Sequence, residues 1–181
     1  MSPQRSVQIR STFIASLAAA LALGVVLPAA AAETTTATVE VTGGSLSISV
    51  PADAGSLGSA ANTVEGTTIN GELGEVQVND ARSAAAGAGW VASVISTAFT
   101  PASGPTIAAS AVGYTVGPIA QVGTATYTAN DPADLTGDAP AVTATEITGD
   151  NSATWTPTIN VAVPGGMAAN VYAATITHSV L

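Results

Sequence analysis

The sequence predicts an all-β protein, an antiparallel β-sandwich of about eight or nine short strands. Beyond residue 32 the chain is rich in Thr and Val, whose branching at Cβ favours strands over helices. Several segments alternate apolar and polar residues, which is typical of strands with one buried face. Glycine and proline recur between these segments, as expected where turns join short strands.

Residues 1–32 are predicted to be a secretory signal peptide. Arg5 and Arg10 give a cationic start, residues 13–27 form an apolar run, and small residues lead to a cleavage point after Ala32. A retained membrane anchor is the alternative interpretation. It is disfavoured because an apolar run of roughly 15 residues is shorter than the ~20 that a spanning helix needs. We therefore expect a secreted chain with no membrane span after cleavage.

The exported part is expected to contain a flexible leader over residues 33–37 and a single β-sandwich domain over residues 38–181. The sequence contains no cysteine, so packing and backbone hydrogen bonds must hold the domain together without disulfides. A domain of this length buries roughly two-thirds of its unfolded surface in one core. Neither a covalent sorting motif nor a lipid-modified cysteine is visible, so attachment to a surface is expected to be non-covalent.

The clearest strand covers residues 45–50, where three serines alternate with Leu, Ile and Val before Pro51. Gly43-Gly44 is predicted to turn an incoming strand over residues 38–42 back onto it. Residues 80–89 are predicted to form a loop because of their glycines, with a helical turn as the alternative. The other expected strands cover residues 75–79, 90–96, 107–116, 124–128, 141–147, 155–163 and 171–180.

The charge balance excludes several classes of partner. All twelve acidic residues follow residue 32, whereas Arg82 is the only lysine or arginine there. Nucleic acids and anionic membrane surfaces are disfavoured partners, because binding phosphates requires many Lys and Arg side chains. The absence of lysine also excludes Schiff-base and isopeptide chemistry.

No catalytic constellation is visible, and the protein is predicted not to be an enzyme. His178 is the single histidine, and no G-x-S-x-G nucleophile elbow accompanies it. Glycoside hydrolysis needs two carboxylates beside a sugar cleft, which aromatic rings usually line, yet aromatic residues make up only 4% of the sequence. The sequence predicts no cofactor other than a calcium ion.

Three aspartates, Asp131, Asp134 and Asp138, form the candidate calcium site. They fall within eight residues, and an oxygen-only set on a loop suits Ca²⁺. The alternative interpretation is a polar loop in which aspartates cap turns. The spacing differs from that of an EF-hand, and one histidine without cysteine does not suit zinc.

The most specific local signal is a pair of tryptophans, Trp90 and Trp155, each expected to open a strand. A tryptophan buries on the order of 150–250 Å², so two of them would dominate a small core. Asp80 and Arg82 precede Trp90, and a charge-assisted hydrogen bond between them is expected to pin the loop. The alternative is that Arg82 contacts a ligand.

This layout resembles the WxL surface-domain family of Gram-positive bacteria. The resemblance rests on the signal peptide, on the Asp80-x-Arg82 segment with the later Trp90, and on a second motif at Trp155 near the C-terminus. Alanine and proline stand two residues after the tryptophans, where the family carries leucine. The resemblance implies a β-rich domain that associates non-covalently with peptidoglycan and with other surface proteins. It also marks Trp90 and Trp155 as motif residues, either buried in the core or in contact with a ligand.

Two functions are therefore expected from the sequence. The first is that of a secreted, extracellular cell-surface protein that associates non-covalently with the cell wall, through peptidoglycan or other surface proteins. The alternative is a structural subunit of a surface filament or coat that assembles by β-strand addition. The leader and the last strand are the candidate donors of that added strand.

Overall fold

The computed structural model describes residues 37–40 and 43–181. The predicted signal peptide and nearly all of the predicted leader lie outside these residues. Residues Glu40–Leu181 form one compact unit. Within the described residues, no helix has the length and apolar character needed to cross a membrane.

The predicted all-β, antiparallel class is confirmed. In the described part of the chain, the only helical element is a single 3-10 turn at Ala109–Ala111. The ten strands are β1 (Leu46–Ser49), β2 (Thr67–Glu72), β3 (Val76–Ser96), β4 (Thr100–Pro101), β5 (Val112–Thr115), β6 (Ile119–Ala129), β7 (Ala139–Trp155), β8 (Thr158–Val163), β9 (Tyr172–Ala173) and β10 (Ile176–Val180).

Two long strands, β3 and β7, form the centre of the first sheet. Its order is β1-β3-β7-β6, and β10 also pairs with β3. β1 pairs with residues 77–80 of β3, whereas β10 pairs with residues 92–96. β1 and β10 therefore lie one after the other along one edge of the sheet, and β6 forms the opposite edge.

The second sheet has the order β2-β8-β5, and β4 and β9 form a separate two-stranded ribbon. One hydrophobic cluster joins the inner faces of the two main sheets, including Val78 and Trp90 from the first and Tyr114 and Ile159 from the second. Alternation explains the inward faces, because every second residue of a strand points to the same side. The domain is thus a sandwich of two packed antiparallel sheets.

The loop predicted over residues 80–89 is wrong, because β3 runs through it without a break. The pairing with β7 is irregular there, with register shifts between Asp80 and Ala84, between Ala84 and Ala88, and between Ala88 and Trp90. Ser83 has a φ of 52° and Gly87 a φ of 90°, both in the left-handed region. The glycine and alanine pattern therefore marks a bulged strand rather than a loop.

The single strand predicted over residues 155–163 is also divided. β7 ends at Trp155, and β8 begins at Thr158 in the other sheet. Pro157 lies at the crossing, where its missing N–H would interrupt a ladder. Trp155 and Ile159 both face the core, as the alternation predicted, but from opposite sheets. Neither tryptophan opens a strand, because Trp90 lies inside β3 and Trp155 ends β7.

Other strand boundaries differ from the expectation in smaller ways. The predicted hairpin of residues 38–42 with residues 45–50 is not seen in the described residues: residues 37–40 form no strand, residues 41–42 lie outside the described part, and β1 pairs with β3. The strand predicted over residues 107–116 is shortened to β5, and the one over residues 171–180 is split into β9 and β10. β2, with Thr67, Thr68 and Ile69, was not predicted.

Candidate functional site

Trp90 lies in the core with only 2% of its surface exposed. Its indole Nε1 donates a hydrogen bond to Asn151 Oδ1 at 3.0 Å. The Tyr127 hydroxyl donates to the same oxygen at 3.2 Å, and its ring lies 5.7 Å from the Trp90 ring in a tilted arrangement. The indole therefore has its polar partner inside the protein, and no part of it is presented to a ligand.

Asn151 connects this tryptophan to the predicted ion pair. Its Nδ2 donates to Asp80 Oδ2 at 3.3 Å, and the two residues are direct cross-strand partners in β3 and β7. Asp80 is fully buried, which is costly for a carboxylate unless it is paired. Arg82 supplies the pair, with Nε 2.8 Å and a terminal nitrogen 2.9 Å from the two carboxylate oxygens.

The ion pair also holds the bulge of β3 in place. Arg82 donates to the carbonyl oxygen of Gly89 at 3.2 Å, so one side chain joins both ends of the irregular segment. Across the strand pair, Asp150 Oδ1 accepts from the Ser83 amide at 2.9 Å. The expected pin between Asp80 and Arg82 is therefore present, but it fixes a bulged strand instead of a loop.

Hydrogen bonding sets the charge state of Asp80. The Arg82 guanidinium hydrogen bond lowers the pKa of this carboxyl below its ordinary value and outweighs its burial. For Tyr127, burial and then the negative charge of Asp80 raise the hydroxyl pKa. At neutral pH the cluster thus contains one anion, one cation and neutral donors. Its buried members, Trp90, Asp80 and Asn151, are hydrogen-bonded to one another or to the half-exposed Arg82.

Trp155 is equally buried, with 2% of its surface exposed, but its polar neighbours are neutral. Its Nε1 donates to the Tyr114 hydroxyl at 2.9 Å. That hydroxyl lies 3.1 Å from His178 Nε2, and the Tyr114 and His178 rings meet edge to face with their centroids 5.6 Å apart. A hydrogen-bonded chain therefore runs from Trp155 through Tyr114 to His178.

The indole donor fixes the direction of one bond in this chain. Because an indole N–H can only donate, the Tyr114 oxygen accepts from Trp155. Between Tyr114 and His178 Nε2, the tautomer of the imidazole decides which group donates. Burial lowers the pKa of His178 to about 4, so the ring is neutral at pH 7. Burial likewise raises the pKa of the Tyr114 hydroxyl. The hydrogen-bond partner of His178 is thus a tyrosine.

The three aspartates of the candidate calcium site have separate contacts. Asp131 accepts from the Val116 amide at 2.7 Å, and Asp134 accepts from the Thr136 amide at 2.8 Å. Asp138 is exposed. Among the described residues, no three His, Cys, Asp or Glu side chains are arranged to hold a metal ion. Asp134 makes the local contact of a turn-capping aspartate, to an amide two residues ahead, whereas Asp131 bonds a residue 15 positions away.

The outward side of the first sheet carries a different kind of surface. In β3 the inward residues alternate with Gln77 and Asn79, which are exposed on the outer side. Strand pairing places six uncharged polar side chains on this side in two rows, one of Ser49, Gln77 and Thr154 and the other of Ser47, Asn79 and Ser152. We call these six residues the neutral face.

The rows of the neutral face cross three neighbouring strands. Adjacent strands lie about 4.8 Å apart, so each row presents hydroxyl and amide groups at a regular spacing. Gln77 Nε2 donates to Thr154 Oγ1 at 3.2 Å, which orients two members of one row. None of the six side chains is ionisable, although the sequence contains twelve acidic residues and only three lysines and arginines. The face can therefore form many neutral hydrogen bonds.

The outer side of the second sheet differs in that it includes a carboxylate. A groove of about 300 Å³ on its outer side is lined by small residues and by Thr68, Thr115, Asn160 and Asp131. Asn160 Nδ2 donates to Thr115 Oγ1 at 3.0 Å, so part of its polar lining is already paired. Unlike the neutral face, this groove contains a carboxylate, that of Asp131.

Several residues of these clusters were not predicted. Asn151, Tyr127 and Tyr114 act through hydrogen bonds to residues that lie 24 or more positions away in the sequence. No short motif marks such partners. The alternation of serines in residues 45–50 was visible in the sequence. The polar residues of β3 and β7 that continue these rows could be identified only from the register of the sheet.

Comparisons with known proteins gave no match to a family model, to a curated protein or to a solved structure.

Proposed function

We propose that this protein is a secreted surface protein that associates non-covalently with the cell wall and binds peptidoglycan through the neutral face. Three observations support the proposal: the signal-peptide pattern, the resemblance to the WxL surface-domain family, and the chemistry of the neutral face. The last of these is the observation that carries the proposal. The protein would act as a passive binding module without catalysis.

The neutral face suits this ligand because of its hydrogen-bonding groups. Glycan strands present hydroxyl and N-acetyl groups, which are recognised by neutral donors and acceptors such as those of Gln77, Asn79 and Thr154. Peptidoglycan also carries carboxylates on its peptide stems. A strongly acidic protein would be repelled by them, so the contact surface has to be free of charge. An uncharged face of hydroxyl and amide groups meets both requirements.

The tryptophans support the proposal indirectly. Because Trp90 and Trp155 are each only 2% exposed, they would act by building the two packed sheets and not by touching the wall. Arg82, which bonds Asp80 and the Gly89 carbonyl, is likewise engaged within the domain. Binding would then depend on the outer side of β1, β3 and β7.

An isosteric pair of substitutions tests this function. The variant Gln77→Glu/Asn79→Asp replaces two amides of the neutral face with carboxylates of the same shape. We expect it to bind purified peptidoglycan at least about tenfold more weakly in co-sedimentation, because two donors are lost and two like charges are introduced. The control Asn70→Asp/Asn160→Asp adds the same charge to the second sheet and should bind as the parent protein does.

Other outcomes would refute the proposal. If the parent protein stays in the soluble fraction with purified walls, it is not a wall-binding protein. If the second-sheet variant alone loses binding, the groove and not the neutral face is the site. Binding should also survive a chelator, and its loss would assign recognition to a bound metal ion.

A further inference from the structure

The free edge of the first sheet, at β6, is exposed on both of its sides. In the described part of the chain β6 pairs only with β7, so its other edge has no strand partner. Residues 120–124 are exposed one after another, whereas a strand that is covered on one side shows alternating burial. The second sheet therefore does not cover this part of β6, and a neighbouring strand has room to pair with it.

The other edges of the two main sheets are protected, as far as the described residues show. β1 and β10 are short, with four and five residues, and β2 ends in the charged Glu72. The backbone of β5 is already bonded outside its sheet, since the Tyr114 amide donates to the Pro132 carbonyl at 2.8 Å. β6 has eleven residues with neither charge nor proline, and so lacks the features that normally discourage edge-to-edge pairing.

The part of β6 best suited to pairing is its beginning. Ile119–Val122 pair regularly with residues 152–155 of β7, which are uncharged. Gly123 has a φ of 86°, and register shifts follow it. Farther along, the Glu146 carboxylate accepts from Thr126 Oγ1 at 2.8 Å, so the later part of the edge lies beside a negative charge. Regular backbone next to uncharged residues is thus found at Ile119–Val122.

Charge and shape favour a second copy of the chain as the partner of this stretch. The formal net charge is −9, so two copies repel each other unless they meet at an uncharged surface. Around a two-fold axis at Gln121, the small Ala120 of one copy lies opposite Val122 of the other, which is 68% exposed. The Gln121 amide contains both donors and an acceptor, so it can bond its own equivalent. The stretch is therefore complementary to itself.

The alternation of side chains restricts where the axis can lie. Antiparallel pairing keeps the outer sides of both sheets together only if opposite residues are separated by an even number of positions. An axis at Ala120 would set Val122 opposite Pro118, which has no N–H to donate. An axis at Val122 would instead set Gln121 opposite the bend at Gly123. The axis at Gln121 avoids both.

We propose that two copies of this protein pair antiparallel through β6, with the two-fold axis at Gln121. Ala120 and Val122 of one copy then lie opposite Val122 and Ala120 of the other, and main-chain hydrogen bonds join the two first sheets into one. Ala120 and Val122 are cross-strand partners of Thr154 and Ser152 of the neutral face. The dimer therefore presents two neutral faces on the same side of the joined sheet.

Single cysteines in the full chain test this contact, because the sequence contains no cysteine. Directly opposite side chains have Cβ atoms about 5 Å apart and diagonal ones about 7–8 Å, and a disulfide needs about 4 Å. Under mild oxidation Gln121→Cys should therefore form a disulfide dimer at least about tenfold faster than Val122→Cys. Mixing Ala120→Cys with Val122→Cys should restore the fast reaction. Val171→Cys is the control, since Val171 is 83% exposed and lies outside β6.

A second variant tests the need for an uncharged edge. Adding Val122→Glu to Gln121→Cys should slow dimer formation about tenfold, because a charged edge strand resists pairing. Adding Val171→Glu introduces the same charge elsewhere and should leave the rate unchanged.

Three results would overturn the proposal. They are a Gln121→Cys variant that reacts no faster than Val171→Cys, a Val122→Cys variant that reacts as fast as Gln121→Cys, and a Val122→Glu substitution without effect. The second result would indicate random collision or another register. The mixtures contain no cell wall, so their outcome is independent of the peptidoglycan experiment.

Discussion

Trp90 and Trp155 are equally buried, yet the groups that accept their indole hydrogens differ in charge and in origin. Trp90 bonds an asparagine that also contacts a buried ion pair, whereas Trp155 bonds a tyrosine that leads to a neutral histidine. The first cluster lies beside a bulge, and its Arg82 side chain bonds residues at both ends of that bulge. The second cluster joins strands of both sheets through neutral partners.

The difference shows two ways of stabilising a sandwich that has no disulfide. The Asp80 carboxylate and Arg82 fix an irregular backbone, because a charge-assisted bond is strong and directional. The chain from Trp155 to His178 instead links β7, β5 and β10 across the core. We therefore expect the two clusters to respond differently to mutation and to acid.

Removing either indole should produce the largest effect. Trp90→Ala and Trp155→Ala should each lower the free energy of unfolding by about 3–5 kcal/mol, since each leaves a large cavity in a packed core. Urea denaturation measures the loss, with Val171→Ala as an exposed control. A cost below about 1 kcal/mol for one tryptophan would show that its cluster does not support the sandwich.

Neutralising the buried carboxylate should have a smaller effect that is specific to the first cluster. Asp80→Asn leaves Arg82 without its anion and should cost about 2–3 kcal/mol at pH 7. The control Asp138→Asn changes an exposed aspartate and should cost almost nothing.

The acid response of Asp80 follows from its lowered pKa. Because the folded-state pKa lies below the unfolded value of 3.8, its contribution is present above that pH and is lost as the pH falls through the folded pKa. Urea midpoints measured between pH 5 and pH 2 should therefore converge for the parent and Asp80→Asn. Parallel curves over this range would contradict the assignment.

The histidine of the second cluster should give the smallest effect, in a different pH window. Its folded pKa of about 4 lies below the ordinary 6.5, so the unfolded chain binds a proton first. Stability is complete above about pH 6.5 and should fall by about 1–2 kcal/mol as the pH decreases toward 4, allowing for a half-buried ring. Glutamine can form a hydrogen bond but does not titrate in this range. The free energy of unfolding of His178→Gln should therefore not show the decline that is caused by histidine protonation. An unchanged decline in this variant would assign it to another group.

The sequence predicted the local features of both clusters and missed the distant ones. The Asp80 and Arg82 pair was visible because the residues are two positions apart. Asn151 and Tyr114 were not, since their roles depend on the pairing of β3 with β7 and on the packing of two sheets. Alternation likewise predicted β1 and the start of β3. It failed over residues 80–89, where small residues form a strand only because β7 lies beside them.

The neutral face illustrates the same limit. Ser47 and Ser49 were recognisable as the polar side of a strand. The two rows of polar side chains appear only when Gln77, Asn79 and Thr154 are placed in register with them. The sequence left open whether the two tryptophans are buried in the core or contact a ligand. Their burial now separates the residues that build the domain from those proposed to contact the wall.

The most direct test of this division of roles measures stability and wall binding on the same variant. Trp155→Phe keeps most of the ring volume and removes the indole donor to Tyr114, so it should lower the unfolding free energy by about 1–2 kcal/mol. At a temperature where it remains folded, it should co-sediment with purified peptidoglycan as the parent protein does. Unchanged urea denaturation together with lost co-sedimentation would contradict the account and place Trp155 in the binding surface.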